Sequence, residues 1–81
     1  MTIREKVYNE KPEAGLMMDY LLFELVVVPN LNEINPEYTR DHLLDILWQL
    51  VEDKLIHIYY DENDKIFTAD YDADKVLEAI S

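Results

Sequence analysis

From Pro12 to about Val27, apolar residues recur at three- and four-residue spacing, at Leu16, Met17, Tyr20, Leu21, Phe23 and Leu25. This spacing predicts a helix, and Pro12 suits its first position, where a missing N–H costs nothing. Only Asp19 and Glu24 are charged between residues 16 and 28. A helix apolar on nearly all sides must be covered on nearly all sides. It is therefore either a central helix wrapped by the rest of the chain or one with a face buried by a second copy. Val26-Val27-Val28 is β-branched and also suits a strand, and Pro29-Asn30 closes either element.

The second strong pattern is Leu43, Leu44, Leu47, Trp48, Leu50, Val51 and Leu55, with Asp41, Asp45, Gln49, Glu52 and Asp53 on the other side. It predicts a long helix ending near Lys54. Asn35-Pro36-Glu37 has the chemistry of a helix start and Thr39 that of a second cap. Either a short helix at 36–38 precedes a turn, or one helix runs from 36 to about 54. The β-branched and aromatic run Leu55 to Tyr60 then reads as a strand and Lys65 to Tyr71 as its return. Asp61-Glu62-Asn63-Asp64 forms the connection, with Asn63 or Asp64 in a left-handed conformation. Asp72 caps a last helix, Ala73 to Ile80, that buries Val76, Leu77 and Ile80. Residues 1–11 fit a short edge strand or a loose turn of helix equally well. The whole is one α+β domain, residues 1–81, with no repeat and no linker.

Composition narrows the chemistry. The chain has 81 residues, no Cys and one Gly. Disulfide scaffolds, thiolate zinc sites, cysteine nucleophiles and Gly-rich phosphate loops are thereby excluded. Charge is strongly and unevenly negative, 18 acids against 7 bases for a net of −11. Residues 1–40 carry seven acids and four bases, a net of −3; residues 41–81 carry eleven and three, a net of −8. Such a surface repels phosphate backbones and anionic lipid headgroups and favours basic partners. The start, Met1 to Lys6, places charges first and is not a signal peptide. The 13-residue tract Leu16–Val28 is too short to span a bilayer, so a cytoplasmic protein with no membrane partner is expected.

The run Thr39 to Ile56 followed by a hairpin resembles the second half of a winged helix-turn-helix domain: a leucine-seamed helix, a charged residue, then Leu55-Ile56 leading into a two-stranded wing. The resemblance covers about residues 13–71 and implies three helices, at about 13–27, 36–38 and 39–54, ahead of the wing. DNA-binding members carry Lys and Arg on the third helix and wing. Here the helix presents Asp41, Asp45, Glu52 and Asp53, and the wing tip presents Asp61, Glu62 and Asp64. Those seven acids are the expected partner-binding residues, and nucleic acid is not the expected partner.

The remaining motifs favour structural roles. Asp70-Tyr71-Asp72-Ala73-Asp74 has the alternating acids of a calcium loop but Lys75 where glycine is required. His42 and His57 lie on different elements, one expected at the surface and one hydrogen-bonded in the hairpin. Trp48, Tyr59, Tyr60 and Tyr71 read as core and hairpin packing, since single-strand binding would also need a cationic groove. No metal, cofactor or catalytic residues are assigned. The expected function is a non-enzymatic module that binds a protein with a basic surface, as an inhibitor, an immunity-type protein or a mimic of nucleic acid. The alternatives are a winged-helix transcriptional regulator and a structural domain that self-associates, for instance as a homodimer through the first helix.

Overall fold

A computed structural model describes all 81 residues. Four helices and a two-stranded antiparallel hairpin make an α+β fold in the order α1 (Ile3–Glu10), α2 (Pro12–Leu22), α3 (Arg40–Glu52), β1 (Ile56–Asp61), β2 (Ile66–Tyr71) and α4 (Ala73–Ile80).

Residues 1–11 resolve as helix. Thr2 caps α1 by accepting from the Glu5 N–H at 3.1 Å. Pro12 then forces a break and starts α2. The two helices touch at Gly15, where a Cβ would lie 2.9 Å from the Tyr8 ring. The single glycine thus permits a close crossing rather than a turn.

Val26-Val27-Val28 stays helical. Beyond α2 the chain widens into a π turn at Phe23–Val27, where the Val28 N–H bonds to the Phe23 carbonyl, and tightens into a 3₁₀ segment, Val28–Glu33. Pro29 supplies the reason, because it has no N–H and its ring crowds the carbonyl four residues back. The Asn30 side chain compensates, donating to the Val26 carbonyl at 2.7 Å and to the Tyr71 hydroxyl at 2.9 Å. The helical run Pro12–Glu33 reaches 22 residues, which by length and composition could cross a membrane. It exceeds the 13-residue tract Leu16–Val28 because the helical run also takes in residues 12–15 before that tract and 29–33 after it. Within this fold only one side of it is buried, through Asp19, Leu21, Leu22, Val26 and Val27, while Leu16, Met17, Tyr20, Val28 and Leu31 stay exposed, so the rest of the chain does not wrap it.

Residues 36–38 form a turn, neither a short helix nor the start of a long one. The Tyr38 N–H bonds to the Asn35 carbonyl at 3.2 Å, and the Asn35 side chain accepts from the Glu37 N–H. Pro36 sits at the second position of that turn, where its fixed φ is favoured. Thr39 then takes the cap of α3, accepting from the His42 N–H. At the far end of α3, Lys54 (φ 64°) adopts a left-handed conformation. Its N–H bonds to Val51 O and that of Leu55 to Leu50 O, the paired bonds of a Schellman stop.

The hairpin pairs Ile56 with Tyr71 through Asp61 with Ile66. Its left-handed residue is Lys65 (φ 57°), not Asn63 or Asp64. Asp61 Oδ1 accepts from the N–H groups of Asn63 and Asp64, which holds the early loop residues in a turn and moves the reversal to the last one. The core joins Leu22 and Val26 of the helical run Pro12–Glu33, Leu44 and Leu47 of α3, Ile56 of β1, and Val76 and Ile80 of α4. Asp72 caps α4, as expected, and Leu77 is half-buried beside its stripe. The Asn35 N–H closes the domain on the Ile80 carbonyl at 2.8 Å.

Candidate interaction surface

One acid of the apolar helix is an internal anchor. Asp19 is only 3% exposed. Its Oδ1 accepts from Arg4 Nε at 3.0 Å and Trp48 Nε1 at 2.8 Å; its Oδ2 accepts from Arg4 Nη2 at 2.9 Å and from the Tyr8 hydroxyl. A buried carboxylate survives only when it is paired and hydrogen-bonded, and this one is both. Burial pushes the carboxyl up. The bonds from Arg4, Tyr8 and Trp48, with the charge of Arg4, outweigh that and hold it below the ordinary aspartate range. Burial and the bond to Asp19 push the Tyr8 phenol up, and the bond to Asp19 raises Arg4 further.

The same guanidinium reaches α3. Arg4 Nη2 donates to Asp41 Oδ1 at 3.2 Å, and Nη1 lies 3.5 Å from Asp45 Oδ1 without hydrogen-bond geometry. These three ion pairs, all to Arg4, are the molecule's full set. Two of the seven expected partner-binding acids, Asp41 and Asp45, are therefore partly spoken for. The other five form no ion pair. Glu52 and Asp53 lie exposed at the end of α3, where Asp53 accepts from Gln49 at 3.0 Å. Asp61, Glu62 and Asp64 surround the hairpin tip, with Asp61 half-buried by its turn bonds.

Other candidates take ordinary places. Asp72 is used as a helix cap. Both histidines are exposed; His42 packs on Tyr38 at 5.2 Å, and His57 stacks on Tyr59 at 5.3 Å. His57 is not hydrogen-bonded in the hairpin, because its alternation places it on the outer sheet face with Tyr59. Trp48 is buried and Tyr71 half-buried, whereas Tyr59 and Tyr60 are exposed.

Sequence reasoning missed the Arg4–Tyr8–Asp19–Trp48 cluster. The available signals were Asp19 as a lone acid in an apolar helix and Arg4 and Tyr8 one helical turn apart. A groove of about 480 Å³ opens beside the cluster between α1 and α2, with Leu16, Tyr20 and Phe23 on one wall and Arg40 at its end. Comparison with protein-family models, curated proteins and solved structures gives no match for this chain.

Proposed function

We propose that the protein is a non-enzymatic, cytoplasmic interaction module that uses its acidic surface to bind a protein of basic surface, on a winged-helix-like frame. One observation carries this reading. Eighteen acids less the three that meet Arg4 leave fifteen carboxylates without an ion-pair partner. A field of that sign attracts cationic proteins and speeds their encounter. The cations are spread over α1, α3, the hairpin and α4. Arg4 is saturated by its three carboxylates and shares the α1–α2 groove with Arg40; Lys6 lies within α1 and Lys11 just after it, Lys54 lies past the far end of α3, Lys65 sits at the hairpin tip and Lys75 on α4. A third helix and wing that track phosphates would need several cations together.

Fluorescence anisotropy with labelled oligolysine and with random duplex DNA, at low and then moderate salt, tests the proposal. Oligolysine should bind with an affinity that falls steeply as salt rises, and the duplex should stay free. Duplex binding at low salt would favour a regulator that reads DNA. Self-association is a second reading, supported by Leu16, Met17 and Tyr20, which are more than half exposed on α2. Sedimentation equilibrium distinguishes it, since a strict monomer at high concentration argues against it.

A further inference from the structure

The hairpin outruns the core that supports it. Residues paired across the strands share a face, so Ile56, Ile58 and Tyr60 of β1 lie on one side with Tyr71, Ala69 and Phe67 of β2. Burial fades along that side, from Ile56 fully buried, through Ile58 half-buried, to Tyr60 and Phe67 at 50% and 41% exposed. The two outer rings meet edge to face with centroids 5.3 Å apart, a fixed aromatic pair with its free surface in water. On the opposite side Ile66 and Tyr59 are equally open. Four large apolar side chains thus crowd the distal half of one hairpin, and Asp61, Glu62 and Asp64 ring its tip.

We infer that the distal hairpin is the protein's docking element, inserting Tyr60 and Phe67 into an apolar cleft of a partner protein whose rim carries Lys and Arg. The inference rests on the acidic-module reading and gives it a location and a contact chemistry. Large aromatic anchors at the centre of a contact supply most binding energy, while charged rims set partner choice and encounter rate. The hairpin has both components, with the two rings on one face and the three acids at the tip beyond them. Charge selects this occupant over a second copy, whose tip would bring the same three acids against these. It also selects against single-stranded nucleic acid, which needs cations beside the stacking rings; Lys65 is the one cation at the tip. The groove beside the apolar face of α2 is lined by Arg4, Arg40 and Glu5, a mixture that specifies no partner chemistry.

Two peptides of equal charge and length are the probes, one oligolysine with serine spacers and one with leucines and tryptophans in place of the serines. Each is titrated into the ¹⁵N-labelled full chain. The amphipathic peptide should bind at least tenfold more tightly, with amide shifts concentrated at residues 59–61 and 66–68. Tyr60→Ser with Phe67→Ser should erase that tenfold advantage while leaving affinity for the serine-spaced peptide unchanged, with Trp48 emission confirming the fold. Glu62→Gln with Asp64→Asn should weaken both peptides. Equal binding of the two peptides, or shifts centred on α2 or α3, overturns the docking proposal and leaves the acidic-module reading standing. Failure of both peptides to bind overturns the two together. Concentration-dependent broadening of hairpin amides without peptide would assign this face to a second copy and overturn the proposal as well.

Discussion

Replacing Asp19 by Asn keeps the size of the side chain and removes the charge on which four donors converge. Arg4 is left as an interior cation with weaker partners, and the Asn amide directs one N–H₂ group at donors that already need an acceptor. Breaking a buried ion pair by removing one member costs about 3–5 kcal/mol. The lower end applies here, because Arg4 retains Asp41 at 3.2 Å and Asp45 at 3.5 Å. A domain of this size is stable by roughly 4–12 kcal/mol at about 0.05–0.15 kcal/mol per residue, so a loss of about 3 kcal/mol is a large share of the total. With a urea m-value of about 1–1.5 kcal/mol/M, near the low end for small proteins, the midpoint should fall by about 2–3 M. Trp48 is the sole tryptophan and its indole N–H donates to Asp19, so its emission follows both the local change and global unfolding. The double variant Arg4→Met with Asp19→Leu should recover only part of the loss, since it removes the unpaired cation but leaves the Tyr8 hydroxyl and the Trp48 indole N–H without their acceptor. A midpoint shift below about 0.5 M for Asp19→Asn would refute the view that this carboxylate organises the helices.

The pH dependence follows from the same cluster. The folded pKa of Asp19 is depressed, so its contribution is present above the ordinary aspartate value of about 3.9 and is lost as pH falls through the lower folded value. Wild type and Asp19→Asn should therefore converge in urea stability under strongly acidic conditions. The folded pKa of Tyr8 is raised, so its contribution is present below about 10 and is lost as pH climbs through the folded value. Tyr8→Phe should cost about 1.5–3 kcal/mol at neutral pH, the worth of a bond to a charged acceptor, and should flatten the alkaline limb of a thermal-melt series. Gly15→Ala should destabilise by about 1 kcal/mol in urea melts despite the better helix propensity of alanine. Overpacking costs about 1–3 kcal/mol, and the Tyr8 ring that a Cβ would strike is held in place by its bond to Asp19. Lys54→Gly should stabilise by about 0.5–1 kcal/mol in the same assay by relieving the left-handed backbone at the end of α3; a loss would show that the lysine side chain matters more than its φ.

What the sequence made legible is what periodicity and caps encode. The helices at 12–27 and 40–52, the hairpin and the last helix follow from spacing, Thr39, Asp72 and the run of β-branched and aromatic residues. Residues 1–11 stayed ambiguous because Ile3, Val7 and Tyr8 are too few to define a period. The decisive facts there are tertiary: Tyr8 over Gly15 and Arg4 on Asp19. The turn at 36–38 was hidden because Asn-Pro-Glu begins helices and turns alike. The left-handed residue at the hairpin tip was misplaced because the side chain of Asp61, not local propensity, sets where the reversal falls. The seven acids of the expected site were visible as charges, but their pairing was not, since Arg4 lies 37 residues from Asp41.

That pairing divides the acids by role, and the division can be measured. Asp41 and Asp45 neighbour a cation that the interior already holds, so a binding partner gains less from them than from acids facing only water. Glu62 and Asp64 have no cation within ion-pair distance and no strong part in the fold. Asp41→Asn with Asp45→Asn should lower stability by up to about 1 kcal/mol, as expected for ion pairs open to solvent, and barely change affinity for oligolysine. Glu62→Gln with Asp64→Asn should do the reverse, weakening oligolysine while the urea midpoint holds or rises as self-repulsion eases. Were all four substitutions to weaken the peptide equally, the attraction would come from net charge alone. The arrangement of acids around α3 and the hairpin would then carry no recognition.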